Sequence, residues 1–260
     1  MHCKICDVST NLAFEAQILR KFLVKYYFCE NCGFLHTEEP YWLDEAYNSA
    51  IATADTGLVQ RNIELSKILT VLLFFMFDKK GKYLDIAGGY GMLTRLMRDA
   101  GFDFYWSDKY CDNLLARGFE VIDDSSFTAI TAFEVLEHLP DPLSFISESM
   151  KLAKSRTMIF STVLFKGAPP SPGSWWYYSF DTGQHISFYQ GRTLQVIAEK
   201  LGLNCYSNGT IHLLTDKKLK SSIFRWLTSP RNFRGLSYCQ KKFMVSKTMS
   251  DHLDMMGRKQ

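Results

Sequence analysis

An alternation of strands and helices begins near residue 82 and limits the possible folds more than any other feature. "KYLDIAGGYG" is typical of an apolar strand and a Gly-rich turn, and "MLTRLMRDAG" of a helix that ends at Gly101. Further strands are expected at "FDFYWSD", "TAITAFE", "TMIFST" and twice near 203–214, with helices at "PLSFISESMKLAK" and "RTLQVIAEKLG". This order predicts an α/β fold with a parallel, doubly wound sheet that binds ligands at the carboxyl ends of its strands.

Changes in composition along the chain predict four segments. Residues 1–40 form a small cysteine-containing module, and residues 41–80 form a helical linker or lid. The strand and helix alternation fills residues 81–215 as the core, and residues 216–260 form a basic extension. One large domain with attachments is the expected organisation for a chain of 260 residues.

Composition favours a soluble protein of the cytoplasm. The longest apolar run, "ILTVLLFFMF" at 68–77, has about half of the roughly 20 residues that a membrane span needs. The first residues, "MHCKICDVST", contain no apolar segment of the kind that directs secretion. Four of the seven cysteines lie in CxxC pairs, which favours metal binding in a reducing compartment over a disulfide framework.

The two CxxC pairs predict a structural zinc site. "CKIC" and "CENCG" are separated by 22 residues and supply four thiolates, the ligand set of tetrahedral zinc. The predicted ligands are Cys3, Cys6, Cys29 and Cys32. Gly33 follows the second pair and suits the tight turn of a zinc knuckle.

The Gly-rich turn at 87–91 predicts a nucleotide-type cofactor. Glycines between a strand and a helix let the backbone approach a ligand at the N-terminus of the helix. Asp108 follows the next predicted strand, about twenty residues later, where a carboxylate can accept the ribose hydroxyls of an adenosine-containing cofactor. These residues predict the class of the cofactor and leave its identity open.

Three motifs resemble those of class I S-adenosylmethionine-dependent methyltransferases. "YLDIAGGYG" is similar to the first motif of that family, "TAFEVLEHLPDP" to its fourth-strand motif and "GQHISFY" to a recurring late segment. The resemblance implies the Rossmann-like, seven-stranded sheet of the family, here with a small N-terminal zinc-binding module. It also implies a methyltransferase that uses S-adenosylmethionine.

The resemblance assigns cofactor contacts to two parts of the chain. The turn would surround the methionine part of the cofactor, Asp108 would hold the ribose, and the backbone of Phe133 and Glu134 would face the sulfonium. One departure is that an alanine replaces the first glycine of the family motif, a change that the turn is expected to tolerate. The residues assigned to the turn are Asp85, Ala87, Gly88, Gly89 and Gly91.

The segment "EVLEH" at 134–138 predicts the acceptor side of the site. Glu134 ends a predicted strand, and Glu137 and His138 follow in the next turn, while His185 in "GQH" is a candidate partner from far along the chain. Two carboxylates and two imidazoles suit magnesium, manganese or zinc. Three roles remain open: a divalent metal site at Glu134, Glu137, His138 and His185, general-base catalysis by His138 or His185, or a structural role.

The metal interpretation has its own resemblance. "E-x-x-E-H" with a distant histidine is similar to the metal site of small-RNA 2'-O-methyltransferases and of ubiquinone-pathway O-methyltransferases. That resemblance implies a divalent ion that holds acceptor oxygens and lowers the pKa of the acceptor hydroxyl. In the first two interpretations, the catalytic residues are Glu137, His138 and His185.

Four consecutive aromatic residues predict the substrate surface. A loop rich in Pro and Gly, "KGAPPSPGSWWYYSFDTGQH", cannot easily bury Trp175, Trp176, Tyr177 and Tyr178 together, so some of them should be exposed at the mouth of the site. Aromatic faces suit sugar rings and also stack on bases. A packed lid without substrate contacts is the alternative.

The combination of cysteine module, core and aromatic loop resembles bacterial methyltransferases of polysaccharide and nucleotide-sugar pathways. The expected reaction is therefore O-methylation of a sugar, nucleotide-sugar or glycan hydroxyl in surface-polysaccharide biosynthesis. Two alternatives are an RNA methyltransferase that uses its zinc ribbon to hold RNA, and a non-catalytic scaffold that binds the cofactor. Few basic residues in the cysteine module make nucleic acid the less favoured partner.

The C-terminal extension is strongly basic. From Lys217 onward there are eleven Lys and Arg and only two Asp. A solvated face is one interpretation, and docking on a membrane surface or another polyanion is the other. Docking would suit a lipid-linked glycan at the inner face of the membrane.

Overall fold

The computed structural model of the chain describes residues 1–47, 55–121, 125–240 and 242–257. Parts of the predicted 41–80 linker and of the 216–260 extension therefore lie outside the described residues. The chain divides into two compact units. The first contains 1–54, 133–148 and 159–218, and the second contains 55–132, 149–158 and 219–260.

The strands and helices follow the predicted alternation from residue 82 onward. The strands are β1 (Asn11–Ile18), β2 (Phe22–Phe28), β3 (Leu35–Thr37), β4 (Lys82–Ile86), β5 (Asp103–Ser107), β6 (Ala129–Ala132), β7 (Thr157–Ser161), β8 (Ser187–Phe188), β9 (Asn204–Ser207) and β10 (Ile211–Thr215). The helices are α1 (Leu43–Ala46), α2 (Leu58–Met76), α3 (Met92–Asp99), α4 (Pro142–Leu152), α5 (Gly191–Leu201), α6 (Ser221–Leu227), α7 (Pro230–Gln240) and α8 (Thr248–Gly257). The strands and helices predicted after residue 82 are thus confirmed.

The larger sheet has the order β5-β4-β6-β7-β10-β9. In the second unit β4 pairs in parallel with β5 and β6, and in the first unit β9 and β10 pair antiparallel. Strand β7 has residues in both units. Among the described residues this sheet has six strands, so the predicted α/β class and parallel centre are confirmed and the count of seven is wrong.

The first unit also contains a four-stranded antiparallel sheet, β1-β2-β3-β8. Leu35 in β3 pairs with Phe188 in β8, so the N-terminal segment shares a sheet with a strand from the late core. Apolar side chains from this sheet and the aromatic loop form one buried cluster. The two compact units cut across the four segments expected from the sequence, whose boundaries stay a prediction.

A buried ion pair fixes the last described helix in the second unit. Arg98 of α3 is 4% exposed, and its Nε and Nη2 atoms donate to the two carboxylate oxygens of Asp251 in α8 at 2.8 and 2.7 Å. Arg95 donates to the same carboxylate at 2.9 Å. This bidentate geometry is the strongest arrangement for an Arg and a carboxylate.

The predicted basic extension contains three helices, α6, α7 and α8, among its described residues. Helices α6 and α7 pack on α2 in the second unit. Their buried side chains include Phe224, Leu227 and Phe233, which explains why this segment is ordered despite its charge. Within the described residues, none of the helices combines the length and apolar character needed to span a membrane.

Candidate functional site

The Gly-rich turn after β4 has a left-handed backbone. Ala87, Gly89 and Gly91 have φ angles of 56°, 54° and 83°. Glycine adopts this conformation freely, whereas a side chain with a Cβ atom is strained in it. Position 87 therefore carries strain where the family motif has glycine, and the turn forms in spite of it, as expected.

Replacing Ala87 with glycine is expected to stabilise the protein by about 1 kcal/mol, because glycine removes the left-handed strain. Thermal unfolding of the purified chain measures the change. The control is Ala100→Gly, since Ala100 has an ordinary φ of −78° and glycine there should destabilise by about 0.5 kcal/mol. A fall in stability for the Ala87 variant would contradict the assigned strain.

Asp85 lies at the end of β4 as a buried carboxylate. It is 3% exposed and accepts hydrogen bonds from the Thr131 hydroxyl at 2.7 Å and the Thr94 hydroxyl at 3.4 Å. Burial raises its pKa to about 7, against the lowering effect of these hydroxyls, and nearby Asp108 raises it further. A carboxyl group kept in such an unfavourable place is a frequent sign of a functional site.

Asp108, after β5, is tied to the Gly-rich turn. Its Oδ2 atom accepts a hydrogen bond from the Gly89 amide at 2.8 Å, and its Oδ1 atom accepts from the amides of Tyr110 and Cys111. The indole of Trp106 donates to the Gly89 carbonyl at 2.8 Å. Asp108 is therefore held against the Gly-rich turn, and its contact with a ribose stays a prediction.

In the first unit, three of the four predicted acceptor-side residues lie together. Glu137, His138 and His185 each offer a ligand atom within 4.8 Å of the others. Glu137 is fully buried and lies with His138 in the short 3₁₀ turn after Val135. The structure thus joins "EVLEH" to "GQH" as the sequence predicted.

Glu134 is the exception. Its side chain is exposed, and its carboxylate accepts a hydrogen bond from the Ser161 hydroxyl at 2.6 Å. The same hydroxyl accepts from the Glu134 amide at 3.0 Å, at a residue with a left-handed φ of 55°. Glu134 is therefore not a member of the compact ligand group, which corrects its assignment to a four-residue metal site. Its predicted contact with the cofactor, like that of Phe133, stays a prediction.

Both histidines of the cluster are kept neutral. Burial lowers the pKa of His138 to about 3, and nearby His185 lowers it further against a backbone hydrogen bond to Gln184. Burial also lowers the pKa of His185, against its hydrogen bond to the Tyr177 backbone. Neutral imidazoles can accept a proton or bind a metal ion, and both roles expected for the cluster need this form.

Hydrogen bonding fixes which nitrogen of His185 is available. Its Nδ1 lies 2.7 Å from the backbone oxygen of Tyr177, and because a carbonyl only accepts, Nδ1 must carry the hydrogen. In the neutral ring Nε2 then has a free lone pair. The rings of His138 and His185 meet edge to face, with centroids 4.8 Å apart.

Sequence reasoning missed two side chains that position the cluster. The Tyr47 hydroxyl lies 2.8 Å from Nδ1 of His138, although it is 91 residues away in the chain. The Tyr177 hydroxyl lies 3.2 Å from the Thr162 hydroxyl and accepts from the Val163 amide at 3.2 Å. A lone tyrosine such as Tyr47 carries no sequence signal of such a role, whereas Tyr177 lies in the aromatic run, for which the sequence predicts substrate binding.

The aromatic run divides between core and surface. Tyr177 and Tyr178 are each 1% exposed and belong to the buried cluster of the first unit, and Trp175 packs against it. Trp176 is 79% exposed. The structure corrects the predicted surface: Tyr177 and Tyr178 are core residues because the loop folds back onto β1, β2 and β8, which leaves Trp176 as the one fully presented ring of the four.

The four N-terminal cysteines form a compact group that is compatible with a zinc ion. The Sγ atoms of Cys3 and Cys32 are 3.5 Å apart, those of Cys6 and Cys29 are 3.4 Å apart, and all four lie within 4.8 Å. Zinc to sulfur bonds of about 2.3 Å place tetrahedral ligands about 3.8 Å apart, so the donor set fits the ion. The hydroxyl of Thr193 in α5 donates to the Cys32 backbone oxygen at 2.8 Å and holds the second knuckle.

Comparison with solved structures finds chains that are similar to part of this one. TnmH is 17% identical with a TM-score of 0.47, and the match covers 68% of this chain and 62% of that one. Magnesium protoporphyrin IX methyltransferase from Synechocystis PCC 6803, solved with bound SAH, is 16% identical with a TM-score of 0.42, covering 66% and 90%. The chain thus spans less than two thirds of TnmH. No curated protein sequence matches it.

Comparison with protein families gives a direct assignment. The model described as "Methyltransferase domain" matches residues 59–208, which is more than half of the chain. The matched range contains the Gly-rich turn, Asp108 and the histidine cluster, so the enzyme class expected from the sequence is confirmed. The chain belongs to the methyltransferase domain family.

Proposed function

We propose that the protein transfers the methyl group of S-adenosylmethionine to a hydroxyl of a sugar or glycan. The observation that carries the proposal is the free Nε2 lone pair of neutral His185, beside Glu137 and His138, in a chain of the methyltransferase family. A sulfonium methyl needs no covalent activation, but a hydroxyl acceptor must lose its proton as it reacts. A proton acceptor is therefore the group that this reaction needs from the protein.

The residues of the turn fit an adenosine-containing sulfonium. Asp108 offers carboxylate oxygens next to the backbone of the turn, and Asp85 offers a second, buried carboxylate. Asp108 would accept hydrogen bonds from the ribose hydroxyls of the cofactor, and Asp85 would lie next to the methionine part of the cofactor. When bound, the cofactor would supply an electrophilic methyl group. Magnesium protoporphyrin IX methyltransferase, which was solved with bound SAM, is an example of a neighbour of known ligand.

His185 would act as the general base. As the methyl group is transferred from sulfur to the acceptor oxygen, leaving a neutral thioether, Nε2 of His185 would take up the hydroxyl proton. The Tyr177 carbonyl would stabilise the resulting imidazolium through Nδ1. The charge of Glu134 raises the pKa of His185 against the effect of burial and so favours the protonated ring. Glu137 lies with both histidines in the ligand-atom group. His138, held by the Tyr47 hydroxyl, would orient the acceptor or its neighbour.

A divalent metal at Glu137, His138 and His185 is the second form of the same reaction. The three ligand atoms lie within 4.8 Å of one another and come from one carboxylate and two neutral imidazoles. This donor set suits manganese or zinc, and it would also suit magnesium if oxygens of the acceptor joined it. Such an ion would lower the pKa of the acceptor hydroxyl. Activity that survives a chelator mild enough to leave the cysteine site loaded would favour the general-base form, and restoration by manganese or magnesium would favour the metal form.

Trp176 supports a sugar acceptor. An indole that is 79% exposed on a loop offers an apolar face, which suits the CH face of a pyranose ring. Replacement by alanine would then raise the KM for the acceptor and leave kcat nearly unchanged, because the ring contributes equally to substrate and transition-state binding.

The cysteine cluster is proposed to hold structural zinc. The purified chain is expected to contain about one zinc per molecule, and Cys29→Ser should lose the metal and unfold at lower temperature. Metal content is measured by mass spectrometry and stability by thermal unfolding. Cys239→Ser is the matched control, because Cys239 is exposed and outside the cluster. Equal zinc content in both variants would contradict the assignment.

The test of the function is transfer of label from methyl-labelled S-adenosylmethionine. The purified chain is incubated with nucleotide sugars, with a glycan extract and with total RNA, and the labelled product is treated with glycosidase or nuclease. Label that appears in glycosidase-sensitive material supports the proposal. Label that appears only in nuclease-sensitive material would mean that the acceptor is RNA and not a sugar. Failure to bind S-adenosylmethionine in calorimetry would overturn the proposal entirely.

A further inference from the structure

The outer face of helices α6 and α7 combines positive charge with exposed apolar side chains. Between residues 219 and 250 the chain has seven Lys and Arg and no Asp or Glu. Large apolar residues in this stretch are exposed, among them Ile223 and Trp226 of α6 and Tyr238 of α7. The α6–α7 face is defined here as Lys220, Ile223, Arg225, Trp226, Arg231 and Tyr238.

The arrangement follows from helical spacing. Ile223 and Trp226 are three residues apart, so their side chains are neighbours on α6, while Phe224 and Leu227 point into the core. Arg231 and Tyr238 are seven residues apart and lie on the exposed side of α7, opposite buried Phe233 and Ser237. The exposed apolar side chains of this face are therefore separate from the side chains that α6 and α7 bury.

The charges of this face are available to a partner. Arg234 is bonded to Glu64, and Lys247 lies 3.8 Å from Asp103. For Lys220, Arg225 and Arg231, no carboxylate in the described part of the chain lies within ion-pair distance. Within the described ranges the charge of these three residues is therefore uncompensated. The indole of Trp226, next to Arg225 in the chain, is 54% exposed.

We infer that the α6–α7 face docks on the surface of an anionic lipid bilayer. Arg and Lys pair with anionic headgroups at such a surface, and tryptophan is enriched at the boundary between headgroups and acyl chains. Ile223 argues for lipid over nucleic acid, because an aliphatic side chain has no aromatic face for stacking on bases. Neither the methyl donor nor the acceptor enters this inference, so it stands or falls apart from the proposed function.

The test is cosedimentation of the full purified chain with vesicles. The probes are vesicles of phosphatidylcholine alone and of phosphatidylcholine with phosphatidylglycerol. Binding is expected for the anionic vesicles and should be lost at about 0.5 M salt, where the electrostatic part is screened. Addition of these vesicles should also shift the tryptophan emission to shorter wavelength, and this shift should disappear in Trp226→Ala.

Two double variants separate charge from apolar contact. Arg225→Glu with Arg231→Glu should weaken binding by about tenfold or more, and Ile223→Ala with Trp226→Ala by about tenfold. The control is Lys80→Glu with Lys151→Glu, which makes the same change in net charge at exposed positions elsewhere in the second unit. Circular dichroism confirms that each variant is folded.

Three results would overturn the inference. Equal binding to both vesicle types would show that lipid charge plays no part. If the control variant lost as much binding as the Arg225 and Arg231 variant, the net charge of the protein, and not this face, would determine binding. Binding to an RNA oligonucleotide that displaces the vesicles and is unaffected in the variant lacking Ile223 and Trp226 would assign the face to nucleic acid instead.

Discussion

Replacing His185 with alanine is expected to lower kcat by about a hundredfold, because the variant loses the Nε2 lone pair that is proposed to accept the proton. Binding of S-adenosylmethionine, measured by calorimetry, should stay near the wild-type value, since the ring is assigned to the acceptor and not to the cofactor. Glu137→Ala should lower turnover at least about tenfold with the same unchanged cofactor affinity. Full activity in both variants would show that the acceptor site lies elsewhere.

The matched control is His185→Gln. A glutamine amide can still donate to the Tyr177 carbonyl and preserve the loop, but it cannot accept a proton at neutral pH. If His185 acts as a base, this variant is as inactive as the alanine variant. Recovery of activity in the glutamine variant would instead assign His185 to positioning of the loop.

The pH dependence follows from the direction of the pKa shift. Burial holds the pKa of His185 below its ordinary value of 6.5, so the ring is neutral, and able to accept a proton, above that pKa. The value of kcat/KM should therefore be flat between about pH 7 and 8 and fall as the pH drops through the lowered pKa. A profile that rises steeply above pH 7 would point to a different base.

Replacing Asp251 with alanine is expected to lower the free energy of unfolding by about 3–5 kcal/mol, the usual cost of removing one partner of a buried ion pair. Arg98 is 4% exposed and would lose both bonds to the carboxylate, although it keeps Asp103 and the Phe104 carbonyl. Denaturant unfolding followed by circular dichroism measures the change.

Asp254→Ala is the control for this prediction. It removes an exposed carboxylate from the same helix, three residues away, and should change stability by less than about 0.5 kcal/mol. A similar loss of unfolding free energy in both variants would mean that stability depends on the charge or helix propensity of α8 and not on the bond between Asp251 and Arg98.

The core of the fold could be predicted because buried parallel strands appear as short apolar runs. Residues 82–86, 129–132 and 157–161 are such runs, and they form β4, β6 and β7. The pairing of β3 with β8 could not be predicted in this way. It joins segments more than 150 residues apart, and β8 has only two residues, too few to give any periodicity.

The site was predicted in part for a similar reason. Glu137 and His138 follow directly on a recognisable strand, and the topology of the fold brings the carboxyl ends of such strands together. The side chains that surround these two residues make long-range contacts, which have no signature in the local sequence. The contact of the Tyr47 hydroxyl with His138 is an example. The burial of Tyr177 and Tyr178 was missed because the expectation for the loop considered its composition and not the apolar surface of β1, β2 and β8.

The pairing of β3 with β8 sets an order of events during synthesis. The hairpin β1–β2 and all four clustered cysteines leave the ribosome early, whereas β8 is made more than 150 residues after β3, roughly ten to thirty seconds later. During that interval β3 presents an open strand edge, the kind of surface on which nascent chains associate. Chains interrupted before residue 187 lack β8, so they would keep this edge open and are expected to aggregate.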